Sequence, residues 1–404
     1  MSLMNAGARL AAVLAGAALT GYGVYSSARI SQSEFEFHRN TIQSVQTAVR
    51  LDPARGRYHA WLAELLENDG RDGASELAEA ARLNPMDSRV WIRRALDAEA
   101  AGDPSSAESL LLHAASIDRL MEPRWSLMNF YFRAGQEPKF WPWARRAFDI
   151  SYGDRKPLFE LCWRMRDNAA IVESAALPPS YPIRAQFVRF LLEKDRPAEA
   201  ASLAARIAPE APPADTALLA ACADRLALSD APADTARALT LWNALCRRRL
   251  LPFAELDPEA GRSLTNGSFD REPTSLGFDW RIPKIEGVSV LRTADPPALR
   301  FTLSHKQPDA CDLLVQIAPV AAGRRYRLSL SYRTSGIAPA SGLRFRAGAA
   351  LGPDLSSESW TSAAFDFTPA DPRAALTLEY RRPLGMVRAE GTLELASVSL
   401  ESAR

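Results

Sequence analysis

Four histidines and four cysteines are the side chains best suited to nucleophilic, acid–base or metal chemistry, and their spacing argues against all three. His38, His59, His113 and His305 are scattered. Cys162, Cys222, Cys246 and Cys311 form no Cys-x-x-Cys and no other close pair, so no zinc site is spelled out. There is no glycine-rich phosphate loop, no Gly-x-Ser-x-Gly elbow and no His-Glu-x-x-His helix. Acids such as Glu286, Asp309 and Asp312 are present, but nothing sets two of them across a cleft as glycosidic hydrolysis requires. The chain reads as a non-enzyme, with a glycan-acting enzyme as the outlying alternative. The cysteines read as buried thiols; the other reading is a disulfide between two helical cysteines.

With catalysis set aside, the scaffold becomes the informative part. The 404 residues suffice for two or three domains. A net charge of +1 implies no general affinity for polyanions, so nucleic acid is not expected as a partner. Ala is abundant before residue 255, as suits packed helices. Pro (28) outnumbers Gly (21), which points to short elements with firm stops.

Residues 1–30 contain Leu10 to Tyr25, sixteen residues without a charge. Extended to Ser27 or Ala28, the stretch reaches the length a membrane span needs, with Tyr22 and Tyr25 at the far interface. Arg9 and the amino terminus precede it; Arg29, Glu34, Glu36 and Arg39 follow it. Three readings stand: an uncleaved signal anchor, a secretory signal cleaved near Ser26-Ser27-Ala28, and a buried core helix. The first two carry the bulk of the chain across a membrane. Abundant Ala and Arg with little Lys suit a GC-rich bacterial genome, so the expectation is a single-pass protein of the bacterial inner membrane with its bulk in the periplasm.

From Phe35 to Leu251 the periodicity is helical. Helix endings recur as Ala48-Val49-Arg50-Leu51, Ala80-Ala81-Arg82-Leu83, Ala114-Ala115-Ser116-Ile117 and Ala147-Phe148-Asp149-Ile150, at spacings of 32, 34 and 33 residues. Such a period marks stacked helical hairpins. The unit over 88–119, with Trp91, Ala95, Gly102, Ala107, Ala114 and Ile117-Asp118, resembles a tetratricopeptide repeat, although Arg119 stands where the closing Pro belongs. Residues 56–85 follow with Leu62, Ala63, Gly70, Ala80 and Leu83-Asn84-Pro85; residues 122–152 follow more loosely with Trp125, Phe132, Gly135, Ala144 and Ala147. Repeats thus occupy 31–154, and more degraded ones 155–251, where Arg196-Pro197-Ala198-Glu199-Ala200 retains a repeat turn. Trp141 and Trp143 are expected in the core between repeats. The resemblance implies a groove for a protein partner, with Arg89, Ile92, Leu96 and Glu99 from one unit and Ser126, Phe130 and Arg133 from the next as candidate lining. The alternative is that these are ordinary packing or solvated residues.

Residues 252–263 read as a linker. Over 264–404 the helix signals vanish and short strands take over, alternating at Arg325–Arg333, Leu343–Ala347, Ala374–Tyr380 and Thr392–Leu400, with further strands read at Val288–Arg292, Ala298–Leu303, Asp312–Ile317 and Trp360–Phe367. Alternation at this spacing predicts an antiparallel β-sandwich. The opening Leu264-Thr265-Asn266-Gly267-Ser268-Phe269-Asp270, the Gly277-Phe278-Asp279-Trp280 segment read as a strand, and Gly323-Arg324-Arg325-Tyr326-Arg327-Leu328-Ser329 resemble carbohydrate-binding modules of the galactose-binding-like, jelly-roll kind. That resemblance implies a glycan site in which Trp280, Tyr332 or Trp360 stacks on a sugar ring, with Asp279 and Arg281 beside Trp280 as hydrogen-bonding partners. It also makes Asn266 and Asp270 candidates for a structural calcium ion, the one cofactor considered. Burial between the sheets and turn capping are the plainer alternatives.

The fold expected is therefore multidomain, α then β: a transmembrane helix, an α-solenoid of helix-turn-helix repeats and an antiparallel jelly-roll sandwich. Two functions fit it. One is a scaffold that docks a protein of an envelope or exopolysaccharide machine through its repeats. The other is a lectin-like protein that binds glycan through the sandwich, with the repeats as a stalk.

Overall fold

The computed structural model describes residues 2–403, so Met1 of the expected anchor segment and Arg404 of the expected sandwich lie outside the described residues. Among them are fourteen α-helices followed by nine strands, and the chain divides into two compact units, 1–178 and 179–404.

In the first unit, α1 (Ser2–His38) is followed by α2 (Ile42–Leu51), α3 (Gly56–Asn68), α4 (Ala74–Leu83), α5 (Ser88–Ala100), α6 (Pro104–Ile117), α7 (Met121–Arg133), α8 (Glu137–Ile150), α9 (Lys156–Met165) and α10 (Ala169–Ala176). Residues Ala8–His38 of α1 have a mean hydropathy of 1.3 and are long and apolar enough to cross a membrane. No side chain between Ala8 and Gln32 is buried, which overturns the core-helix reading; Ser33, the next residue, is buried, and its hydroxyl lies 3.2 Å from that of Tyr58 on α3.

The recurring endings of the sequence are the ends of α2, α4, α6 and α8. The α3–α4, α5–α6 and α7–α8 hairpins each turn on a glycine in the left-handed region, Gly70 (φ 75°), Gly102 (φ 81°) and Gly135 (φ 64°), and Asn40 (φ 56°) does the same work between α1 and α2. After Gly102, the Asp103 side chain accepts from Ser106 N at 3.0 Å and Pro104 opens α6, a start that asks nothing of the missing N–H. Ala63, Ala80, Ala95, Ala107, Ala114, Ala144 and Ala147 are all buried, and their small side chains let successive helices approach closely. Trp141 and Trp143 correct the expectation: both are half-buried, Trp141 donates to Glu137 Oε1 at 3.1 Å, and Arg146 lies 4.3 Å over Trp143. Phe140 and Phe148 fill the core instead.

The second unit begins with α11 (Tyr181–Glu193), α12 (Pro197–Ile207), α13 (Thr216–Ala227) and α14 (Pro232–Arg247). Asp195 (φ 57°) takes the glycine's place in the α11–α12 turn, so this repeat lost its signature residue while keeping its geometry. The strands are β1 (Val288–Ala294), β2 (Pro297–Ser304), β3 (Ala310–Pro319), β4 (Tyr326–Ser335), β5 (Leu343–Ala347), β6 (Ala350–Asp354), β7 (Thr361–Phe367), β8 (Arg373–Arg381) and β9 (Glu390–Ser402). They form an antiparallel five-stranded sheet, β1-β2-β9-β4-β7, and an antiparallel four-stranded sheet, β3-β8-β5-β6. Their inner faces enclose one apolar core that includes Phe301, Leu314, Tyr326, Phe345 and Leu378.

Two features depart from the alternating pattern. Residues 277–280 form a turn rather than a strand: Gly277 sits at φ 56°, Asp279 N donates to Leu276 O, and pairing is confined to Arg281 with Val315, at 2.7 and 2.9 Å. The same turn joins the sandwich to the last helices. Asp224 of α13 accepts from Gly277 N at 2.8 Å and from Arg281 Nη2 at 2.5 Å. Buried Trp242 of α14 stacks on Phe253 and meets Phe278 edge-on, at 5.7 and 5.8 Å between ring centroids. Residues 252–263 pack along with it, since Leu256 is buried and Asn243 holds its main chain by two hydrogen bonds of 2.8 and 2.9 Å.

Candidate functional site

Two surfaces gather side chains beyond what packing requires. The first is a groove of about 530 Å³ in the helical unit. α5 presents Arg89, Ile92, Arg93 and Leu96 to it, and Phe37, Arg57, Glu64 and Glu122 are among the other lining residues. Ile92 is buried as part of its floor, while Leu96 is 44% exposed. The walls are paired charges. Arg89 lies 3.1 Å from each carboxylate oxygen of Asp87, whose hydrogen bond raises the pKa of the guanidinium. Arg93 pairs with Glu67, and Arg57 with Glu34. An apolar floor between opposite charges suits a peptide that carries an apolar anchor and charges of both signs.

The other expected lining residues lie elsewhere. Glu99 and Arg133 form a two-pronged ion pair of 2.8 and 2.7 Å between α5 and α7. Ser126 is half-buried and outside the groove. Phe130 is a correction: it is 1% exposed and packs edge-on against Tyr131 within the core, because it lies on the inward side of α7.

The second surface is the outward face of the five-stranded sheet. Register places Leu291, Arg300, Glu394 and Arg333 in one row across β1, β2, β9 and β4. Trp360, just before β7, continues it; Arg333 lies 5.1 Å over its ring and the residue remains 39% exposed. Glu394 binds the row together, accepting from Arg300 Nε at 2.7 Å and from Arg333 Nε. The Arg333 hydrogen bond, reinforced by Arg300, holds its carboxyl below the usual range despite burial. A carboxylate clamped in this way is a poor proton donor at neutral pH. The neighbouring rows are hydroxyls: Ser289, Thr302, Thr392 and Ser335 on one side, and Ser397, Ser331 and Ser362 on the other. One exposed aromatic ring beside fixed cations, a carboxylate and many hydroxyls can stack on the C–H face of a sugar and bond its hydroxyls.

Of the expected glycan residues, Trp360 alone is placed to do this. Trp280 is a correction. It is fully buried, packs at a tilt against Phe269 and donates Nε1–H to Asn266 O at 3.1 Å, so it presents no open ring face. Asp279 is buried beside it, its Oδ2 accepting from Thr274 N at 2.7 Å, and burial raises the pKa of the carboxyl. Arg281 is committed to Asp224, and Tyr332, 6% exposed, points into the sandwich core. The physical reason is the turn at Gly277, which replaces the strand expected over 277–280. Asn266 spends both ends of its amide on the main chain of Arg271, at 2.9 and 3.2 Å, and Asp270 accepts from the Ser268 hydroxyl. Among the described residues no cluster of three or more His, Cys, Asp or Glu side chains could hold a metal ion.

Arg300, Arg333 and Glu394 were not singled out from the sequence. Their alternation marked them as outward-facing, but which residues stand side by side depends on the pairing of β4 and β2 with β9, strands about 60 and 90 residues apart in the chain.

No family model matches the sequence, and no curated protein matches it. Among solved structures the chain is similar to a CBM4 domain, at 16% identity over 35% of this chain and 100% of that one with a TM-score of 0.28. It is similar to TmCBM61, solved in complex with β-1,4-galactotriose, at 15% identity over 35% of this chain and 98% of that one with a TM-score of 0.25. It is also similar to MamA, at 11% identity over 39% of this chain and 99% of that one with a TM-score of 0.29. The structures it is similar to thus include tetratricopeptide-type helical repeats and carbohydrate-binding-module jelly rolls, one for each part of the chain.

Proposed function

We propose that the protein is a non-catalytic scaffold, anchored by α1, whose helical groove docks a segment of a protein partner. The observation that carries this reading is the α5 groove, where half-exposed Leu96 stands over Ile92 between paired charges. On the sheet, Glu394 is held below its usual range and is doubly bound, which suits a structural carboxylate rather than a proton donor. The placement that fits is a single-pass inner-membrane protein with its bulk in the periplasm, serving an envelope or exopolysaccharide machine. A photo-crosslinking residue at Leu96 of the full chain in cells tests the docking. A discrete protein adduct at Leu96, absent at exposed Ser109 on α6 and abolished by Arg93→Glu, is expected; identical adduct patterns at both positions overturn it.

A second reading rests on Trp360. The row of Trp360, Arg333, Glu394 and Arg300 supports glycan binding through the sandwich, and the two readings are compatible. In a glycan array with the whole protein, Trp360→Ala should lower binding at least tenfold while leaving the melting temperature within a few degrees. Glycan binding unchanged in Trp360→Ala removes this face from consideration.

A further inference from the structure

The turn between β8 and β9 holds apolar side chains out into solvent, and it is built to keep them there. Pro383-Leu384-Gly385-Met386 closes with Met386 N donating to Pro383 O at 3.2 Å, and Gly385 sits at φ 82°, the third position of a turn that requires a positive φ. Leu384 is 104% exposed and Val387 78% exposed, with Met386 beside them. Single exposed apolar residues are ordinary; two of the most exposed in the chain, three positions apart on one tip, are not.

The base of the turn is rigid and cationic. Asp309 accepts from Arg382 Nη2 and Arg388 Nε, both at 2.8 Å, so two guanidinium groups share one carboxylate and a positive charge is left over. Arg382 Nη1 also donates to Met386 O at 3.0 Å, and His305 Nδ1 lies 3.0 Å from Arg388 O. Tyr380 Oη accepts from Ala389 N at 2.9 Å, and Gln307 donates to Ala389 O at 2.6 Å. Beneath the tip is a shallow cavity of about 440 Å³ lined by His305, Arg382, Met386, Val387 and Arg388.

We propose that this turn is a membrane-contact site: Leu384, Met386 and Val387 enter the acyl boundary of a bilayer, and the Arg382–Arg388 pair meets the phosphates of anionic lipid headgroups. Apolar side chains held above a pair of arginines match the layering of a lipid interface, with acyl chains beneath anionic headgroups. This inference rests on the proposed anchoring by α1, whose Ala8–His38 is long and apolar enough to cross a membrane.

The test uses the full chain, with Cys311→Ser to remove the one thiol that is not buried. An environment-sensitive fluorophore is placed at Leu384→Cys or, as the control, at Asp371→Cys, which precedes the opposite end of β8. Both proteins are reconstituted into vesicles of phosphatidylcholine and phosphatidylglycerol containing a lipid with a spin-labelled acyl chain. The site predicts several-fold stronger quenching and a blue-shifted emission at 384, both reduced in vesicles of phosphatidylcholine alone and by Arg382→Glu. Equal, water-like emission at 384 and 371 overturns the proposal and leaves the tip to a protein partner. Because the readout is local to the label, a variant that merely weakened the fold would disturb both positions alike.

Discussion

Gly277→Ala tests the claim that α14 packs on the turn that enters the sandwich. Gly277 sits at φ 56°, and a Cβ there would fall inside the van der Waals envelope of Trp242 Cζ3 and 2.5 Å from Cε3. Trp242 is fully buried between Phe253 and Phe278, so its ring cannot yield without disturbing both. The left-handed backbone costs a residue with a Cβ about 1 kcal/mol. Forcing extra volume into a packed site costs about 1–3 kcal/mol more. The substitution should therefore destabilise the second unit by about 2–4 kcal/mol, which for a unit of this size lowers the melting temperature by about 5–15 °C. Gly261→Ala is the matched control: its φ is 78°, but its added Cβ meets nothing within 4 Å, so the backbone cost alone, about 1 kcal/mol, is expected. Calorimetry and tryptophan fluorescence on both variants decide the matter. Equal losses in the two would mean that Trp242 does not pack on Gly277, and the contact between α14 and the turn would have to be abandoned.

Glu379, buried on the outer face of the four-stranded sheet, accepts from Arg346 Nε at 2.9 Å and Arg344 Nε at 3.1 Å. Burial pushes its carboxyl up, but the two arginines outweigh burial and hold it below its ordinary value of 4.5. The stabilisation is therefore present above that value and lost as pH falls through the depressed one. Glu379→Gln should cost about 1–3 kcal/mol at pH 7, and the gap in urea midpoints from the parent should narrow toward pH 3; a gap independent of pH would contradict this. Thiol titration supplies another check. Burial raises the pKa of Cys162, Cys222 and Cys246, to about 12 for the latter two, whereas Cys311 is only half-buried. The native protein should release about one equivalent quickly with a disulfide reagent and the remainder on denaturation. Rapid reaction of two or more thiols would refute the burial of Cys162, Cys222 and Cys246.

The repeats were legible because their chemistry is local. Ala at a helix crossing, Gly at a left-handed turn and a terminator every 32 to 34 residues are imposed by each hairpin on its own residues, so Leu51, Leu83, Ile117 and Ile150 marked the helix ends correctly. Where a substitute does the same backbone work, as Asp195 does, the signal faded although the turn remained. Strand positions from Val288 to Leu400 were legible for the same reason, since a half-buried strand must alternate; β6, five residues ending in Gly-Pro-Asp, was too short and broken to stand out.

The candidate sites were less so. Trp280 and Trp360 look alike in sequence, each an aromatic residue beside polar neighbours. The Gly277 turn swings Trp280 inward onto Phe269, while strand pairing brings Arg333 against Trp360 and, through Glu394, ties it to Arg300. Local propensity and alternation say which elements form and which residues face outward. Which outward residues become neighbours, and which aromatic is buried, depends on registers between strands far apart in the chain and on a helical pair joined to the sandwich through Asp224 and Trp242. Those are long-range contacts, and no short stretch of sequence contains them.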